Sequence, residues 1–197
     1  MSRIAVVGHV EWVDFVPLER FPKPGSLIHA VGAFAQAGGG GPVVAVVLAE
    51  LGAEVDFFTA LGDDTLGRAV AAQLTERGVR VHVAWREQPT RRALTLLDDR
   101  HERTIITLGK RLQPDGSDEL EWERLASADG VYFTAGDPGA LARARQARTL
   151  VASPRARKTL ESDGPAIDAL VFSASDRDEQ EWAQRAEHRT RLLVATD

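Results

Sequence analysis

Four consecutive glycines, Gly38, Gly39, Gly40 and Gly41, lead through Pro42 into the apolar run Val43 to Leu51, and this stretch has the composition of a ligand-shaping turn. Glycine costs backbone entropy, so a compact fold keeps a run of it where side chains would clash or where positive φ is needed. A ligand pressed against the backbone supplies such a reason; a flexible connector is the blander reading. Pro42 suits a first helical position and Gly52 a C-terminal cap, so the glycines stand at the head of a helix. That helix is apolar nearly all round, which predicts burial on most sides. The turn is not a standard nucleotide loop. Counting G-x-G-x-x-G from Gly38 or Gly39 puts Val43 or Val44 at the third glycine, and the sole Gly-Lys pair, Gly109-Lys110, is followed by Arg111 instead of Ser or Thr.

Other residues with chemical potential read more plainly. Asp63-Asp64 could be a carboxylate pair, but Asp64 or Thr65 at the start of an apolar period is explained as a helix cap. The five histidines, His9, His29, His82, His101 and His188, lack metal-ligand spacing, and His9 at the end of the first strand reads as structural. Trp12, beside Glu11, offers an aromatic face for stacking. The chain has no cysteine, which removes disulfides, thiolate metal sites and cysteine nucleophiles together.

These residues need a frame. Short apolar runs rich in β-branched residues recur at Ile4–Val7, Val55–Leu61, Val79–Trp85, Val131–Thr134, Leu150–Ala152, Leu170–Phe172 and Leu192–Ala195. Helical patterns lie between them, clearest in Thr65–Arg77, where Leu66, Val70 and Leu74 share a face and Gly78 supplies the stop; others fall at Asp118–Ala126, Gly139–Ala147 and Asp176–His188. This alternation predicts an α/β fold with a largely parallel central sheet and helices on both faces. Ala93–Leu97 and Thr104–Leu108 around Asp98–Arg103 predict an antiparallel hairpin outside that sheet, and Glu11 to Gln36, punctuated by Pro22, Pro24 and Gly25, predicts extended chain. Both segments are expected at the sheet's edge as a small lid.

With 197 residues, 44% hydrophobic and 27% charged, the composition is that of one ordinary globular domain. The net charge of −5 opposes general attraction to nucleic acid or to an anionic membrane and favours small-molecule partners. No segment reads as a signal peptide or a membrane span, so a cytoplasmic protein is expected. An apolar strand pattern up to Ala195, immediately before Thr196-Asp197, suggests a truncated domain.

Phe21-Pro22-Lys23-Pro24-Gly25, then Gly38 to Gly41, then Leu51-Gly52-Ala53, then Leu61-Gly62-Asp63-Asp64-x-x-Gly67 together resemble the N-terminal part of the ribokinase-like (PfkB-type) carbohydrate kinase family. Order and spacing both match, and the likeness continues through Pro89-Thr90 to Asp168–Asp176. The resemblance implies one ribokinase-like domain over 1–197, with lid segments near 11–36 and 89–108. It implies phosphoryl transfer from ATP, with Mg2+, to an alcohol of a sugar or nucleoside; separately, an exposed small sheet can form a clasp with a neighbour, so a homodimer through the β lid is expected. Gly38, Gly39, Gly40 and Gly41 inherit contact with substrate hydroxyls, and Glu11 and Asp14 are the acidic candidates after the first strand, although alignment through Pro24-Gly25 puts Val13 at the usual aspartate. Ser173-x-x-Asp176 stands where the family carries Asn-x-x-Glu, associated with magnesium and phosphate, and Val43 stands where it carries asparagine. No residue is assigned as a direct metal ligand. The family's Gly-Ala-Gly-Asp motif, whose amides stabilise the transferring phosphoryl charge and whose aspartate is the base, is absent from this sequence. An inactive polypeptide is therefore expected, with a non-catalytic sugar-binding or regulatory domain as the alternative.

Overall fold

A computed structural model describes the chain except for residues 31, 100, 101, 163 and 197. His101, the middle of the expected turn Asp98–Arg103 and the final Asp197 therefore lie outside the described residues. The chain begins with β1 (Arg3–Val7), then forms β2 (Glu11–Pro17) and β3 (Phe34–Gly38) before the glycines open α1 (Gly40–Glu50). Next come β4 (Glu54–Gly62), α2 (Thr65–Glu76) and β5 (Val79–Arg86), followed by β6 (Arg92–Leu97) and β7 (Arg103–Leu108). A 3-10 segment, Trp122–Ser127, leads to β8 (Gly130–Phe133), α3 (Pro138–Ala144), β9 (Leu150–Ala152), α4 (Arg157–Leu160), β10 (Ile167–Ser173), α5 (Arg177–Arg185) and β11 (Thr190–Thr196).

Seven strands form one sheet in the order β11-β10-β9-β8-β1-β4-β5, with every pairing parallel. Each expected strand is present, and the fold class is the α/β class read from the alternation. Both faces are covered. Val7, Phe58, Val131, Phe133 and Leu141 pack into one apolar cluster, while Val6, Phe57, Leu61, Val70 and Leu74 pack into another. Adjacent residues such as Val6 and Val7 enter different clusters because successive side chains of a strand point to opposite faces.

β2, β3, β6 and β7 form a second sheet in the order β3-β2-β6-β7. The hairpin β6-β7 is antiparallel as expected, with Ala93 opposite Thr107 and Leu96 opposite Thr104. The segment expected to be extended chain at the main sheet's edge instead contributes two strands here: β2 pairs with β3 antiparallel and with β6 parallel.

The Gly62-Asp63-Asp64 motif ties this smaller sheet to the main one. Asp64 caps α2 by accepting the Gly67 N–H at 2.7 Å, and it also accepts the N–H and hydroxyl of Thr90 at 2.7 and 2.8 Å. Burial opposes ionisation of Asp64, but these bonds outweigh it and hold the carboxyl below its usual range. The Thr90 hydroxyl in turn accepts the Gly62 N–H at 3.1 Å. Glycine is required at both ends of the motif: a Cβ on Gly62 would lie 2.4 Å from the Thr90 nitrogen, and one on Gly67 would lie 2.2 Å from the Gly62 carbonyl oxygen.

Two helix expectations need correction. α1 starts at Gly40, placing Pro42 third in the helix, where an N–H still has no intrahelical partner to lose. Nor is α1 buried on most sides: Gly41, Pro42 and Ala45 are buried, whereas Val43 is 57% and Val47 47% exposed. Val44, Val46, Leu48 and Ala49 pack half-buried against the core beside these small residues, and Val43 and Val47 are left outside. The stretch Asp118–Ala126 is no α-helix. Asp118 binds Arg86 and the Asp115 N–H, and the Trp122 N–H turns back to the Leu120 carbonyl, so only the tighter segment Trp122–Ser127 winds.

Candidate substrate site

Loops at the carboxyl ends of parallel strands gather along one edge, where open α/β folds seat their ligands. That edge collects Gly8 and His9 after β1, Thr134 after β8, Ser153 to Arg155 after β9 and Ser173 to Asp176 around the end of β10. The glycine turn packs over the first of these. A Cβ on Gly38 would stand 2.4 Å from Val13 Cγ2, and one on Gly41 would stand 2.9 Å from Phe57 and 3.0 Å from the His9 carbonyl oxygen. Gly39 has φ of 101°, which side chains rarely tolerate. Gly40 alone has ordinary room, since a Cβ there would meet only Thr134 Oγ1, at 3.6 Å. Three glycines are thus explained by the protein's own atoms, and the fourth is not. α1 opens here with no side-chain cap and no acid in its first turn, so its leading N–H groups face the site without an intrahelical acceptor.

His9 lies against this turn. Arg111 Nη2 is 2.7 Å from His9 Nδ1; a guanidinium only donates, so Nδ1 accepts and the ring proton sits on Nε2. Nε2 is 3.4 Å from the Cβ position of Gly39, which places an N–H donor at the turn. Burial, reinforced by the charges of Arg111, Arg91 and Arg155, pushes the His9 pKa down to about 3. The ring is therefore neutral near pH 7.

Arg111 also donates to the carbonyl oxygens of Thr134 and Arg155, at 3.1 and 3.2 Å. Glu11 Oε2 and Arg91 Nε are 3.2 Å apart, yet neither buried atom makes a hydrogen bond, because their contact lacks the angle for one. Burial raises the Glu11 carboxyl above its usual range, against the pull of Arg91 and Arg111. Arg111 Nε and Thr134 Oγ1 are likewise buried without partners among the described residues.

Beyond Arg111 the edge opens into a cleft of about 630 Å³, lined by Gln113, Arg155, Arg157, Lys158 and Asp176 among others. Arg155 Nε lies 2.8 Å from Glu179, whose other oxygen accepts the Ser173 N–H at 3.1 Å. Asp176 caps α5 by accepting the Glu179 N–H at 3.1 Å and lies 3.9 Å from Arg155. The Ser173 hydroxyl is 2.9 Å from that of Ser175. Among the described residues, no three His, Asp or Glu side chains gather to hold a metal ion.

The structure brings Gly38 to Gly41 together with His9, and Glu11 stands beside them with Arg91. Asp14 is parted from Glu11 by strand alternation and pairs with Arg92 at 2.9 Å. Asp176 lines the cleft that Arg111 shares with Arg155, and Ser173 reaches its edge only through Glu179. Trp12 packs against the apolar cluster around Val6 and Phe57, and Val43 lies beside Ala35 and Ala37 on the outer side of α1. Asp64 is the helix cap, and Asp63 pairs with Arg68. Sequence reasoning missed Arg91, Arg111, Thr134, Arg155 and Glu179. One signal was available: Arg111 follows the hairpin directly in Gly109-Lys110-Arg111, a tripeptide that served only to rule out a phosphate loop.

An all-parallel seven-stranded sheet with a glycine turn at its ligand edge and a small second sheet define the ribokinase-like class of α/β fold. Solved structures share it. A microbiome-derived acarbose kinase superposes with a TM-score of 0.80 at 21% identity, covering 100% of this chain and 70% of that one. The ribokinase of Arabidopsis thaliana complexed with ribose and ATP gives 0.70 at 21% identity, covering 99% and 72%. Residues 1–176 match the pfkB family carbohydrate kinase, and the chain belongs to that family. Among curated relatives, Arabidopsis thaliana ribokinase is 30% identical over 132 residues, 65% of this chain and 33% of its own length. An ATP-dependent ribose-1-phosphate kinase of Halopiger xanaduensis is 29% identical over 188 residues, 90% of this chain and 63% of its own. The chain thus spans a third to just under two thirds of these relatives.

Proposed function

We propose that this chain seats the acceptor of an ATP-dependent carbohydrate kinase, a sugar or nucleoside whose alcohol receives the γ-phosphoryl group. Gly40 carries the reading, being the one glycine of the turn that no protein atom requires. Beside it stand a neutral His9 N–H, the unpartnered Thr134 hydroxyl and the leading amides of α1, a set suited to the mixed donors and acceptors of hydroxyl groups. Glu11 is close enough to join them, whereas Asp14 would reach a substrate only by leaving Arg92. The cleft around Arg155, Arg157 and Lys158 has the charge to hold the phosphates of ATP. Mg2+ binds through few carboxylates plus phosphates and water; Asp176, which lines that cleft, would meet its hydration shell, with Ser173 behind it on the Glu179 carboxylate.

Without a Gly-Ala-Gly-Asp motif, the 197-residue polypeptide has no residue assigned as the base, whose usual contribution is about 10²- to 10⁴-fold. The expected result for this polypeptide is calorimetric binding of ribose or adenosine with ADP release at the background rate. If neither ligand binds, the glycine-turn site is wrong; ADP release above background would instead overturn the inactivity. The second reading, a sugar-binding or regulatory domain, rests on the same missing motif. ATP separates the two, since nucleotide binding that competes with inorganic phosphate supports the kinase reading and its absence supports the other.

We also place the protein in the cytoplasm, with no nucleic-acid or membrane partner, and as a homodimer through the smaller sheet. Support comes from the net charge of −5, from the absence of any described helix long and apolar enough to cross a membrane, and from exposed apolar residues on β7.

A further inference from the structure

Histidine rings in this chain meet their partners in two ways. His82 has an Asp56 carboxylate oxygen 2.7 Å from Nε2, and His188 has the Arg185 carbonyl oxygen 3.1 Å from Nδ1, so these rings face acceptors. The Nδ1 of His9 faces the Arg111 guanidinium, which donates and cannot accept. A ring nitrogen so placed takes no proton while the contact lasts. Arg111 is itself held: the same Nη2 reaches the Thr134 carbonyl oxygen at 3.1 Å, and Nη1 reaches that of Arg155 at 3.2 Å. These three partners lie on the loops after β1, β8 and β9, whereas Arg111 belongs to the chain leaving β7. On the far side of the His9 ring, Nε2 has no acceptor among the described residues and stands 3.4 Å from the Gly39 Cβ position.

We propose that Arg111 is a positioning residue for the acceptor site: by donating to His9 Nδ1 it holds the ring as the Nε2–H tautomer, so that a sugar oxygen over Gly39 meets a fixed hydrogen-bond donor. The inference rests on the acceptor-site reading of the glycine turn. Arg111 acts through His9 and needs no contact with the sugar. Without it, the bare Nδ1 and the Thr134 carbonyl oxygen, which now share Nη2, would both lose their donor, and a proton on Nδ1 would serve the two together. Arg91 and Arg155 set their charge against an imidazolium, and Glu11, the carboxylate at this end, already faces Arg91. The second neutral tautomer is therefore the expected result, and in it Nε2 has no proton to give.

Nitrogen-15 spectra of the histidine rings in the 197-residue chain read the Nδ1 proton directly. In the wild type, His9 Nδ1 is expected to stay bare from about pH 7.5 to about pH 5, a measurement that needs no variant to fold; a proton on Nδ1 at the upper pH overturns the proposal. In Arg111→Met a large share of the molecules should carry a proton on Nδ1, while Arg111→Lys, which keeps a long side chain that only donates, should leave it bare. A ring that stays wholly Nε2–H in Arg111→Met shows that burial alone sets the tautomer, and it overturns the proposal too. Calorimetry with ribose reads the consequence. Arg111→Met should bind about tenfold more weakly, the worth of one hydrogen bond, and Arg111→Lys within about threefold of the wild type. In a His9→Phe background the Arg111→Met change should cost no further affinity. An equal loss in both backgrounds means that Arg111 acts without His9 and contradicts a positioning role. A wild type that binds no ribose removes the acceptor-site reading, whereas the spectra still decide whether Arg111 sets the tautomer.

Discussion

Gly39 and Gly40 are neighbours of one residue type, yet they answer to different constraints. An alanine at Gly39 must hold φ near 101° and ψ near 170°, a conformation that costs about 1–3 kcal/mol for a residue with a Cβ. At Gly40 the same change meets only Thr134 Oγ1 at 3.6 Å and removes a flexible residue from a helix, which stabilises by up to about 1 kcal/mol. Gly39→Ala should therefore lower the urea midpoint, whereas Gly40→Ala should hold or raise it while weakening the proposed sugar binding tenfold or more; unchanged binding in a stable Gly40→Ala would overturn the proposal that the turn contacts a sugar. His9 makes a second prediction at this scale. Its pKa is about 3 folded against 6.5 unfolded, so its contribution is complete above pH 6.5 and is lost as pH falls toward 3. The unfolded chain binds the extra proton, and the slope is at most about 1.4 kcal/mol per pH unit. Urea titrations between pH 7.5 and 4.5 should show a shallower acid slope for His9→Gln, and coincident slopes would contradict it.

At the scale of elements, the smaller sheet is tied to the main one by polar bonds as well as by the core that Trp12 and Ala37 join. Asp64 serves α2 and Thr90 at once, so Asp64→Ala removes a cap worth about 0.5–2 kcal/mol together with two bonds worth about 1 kcal/mol each. A loss of about 2.5–4 kcal/mol is expected in urea unfolding. Amide exchange should rise in β6 more than in β8, because Thr90 fixes the entry to β6 while β8 lies between β1 and β9 in the main sheet. Uniform acceleration across both strands would show that Asp64 acts through global stability alone. The α1 correction belongs to this scale too. Apolar periodicity revealed a helix, but it could not show that small residues at Gly41 and Ala45 let the helix sit on one face and leave Val43 and Val47 outside.

For the whole molecule, the exposed face lies on the smaller sheet. β7 is exposed along its whole length, with Ile105 50% and Ile106 46% accessible, and it forms an edge whose unpaired backbone invites another strand. Adjacent strand residues point to opposite faces, so one partner surface must cover apolar groups on both sides of this edge. Sedimentation velocity should give a species of about twice 21.4 kDa, reduced to the single-chain mass by Ile106→Lys. A wild-type monomer at tens of micromolar would remove the clasp.

The strand runs, the helix stops at Gly52 and Gly78, the hairpin and the family motifs follow local rules of period and punctuation, and for that reason they could be read along the chain. So could the glycine turn as a place of close approach, and Asp64 as a cap. What sequence order could not convey is which atoms meet across it. His9 and Arg111 are 102 positions apart and touch at 2.7 Å, and Glu11 meets Arg91 across the start of a parallel strand pair. The tautomer of His9, its depressed pKa and the separation of Asp14 from Glu11 all come from such meetings. Charge and burial depend on distance through space, and in a parallel sheet the residues that share an edge arrive from strands far apart in the chain.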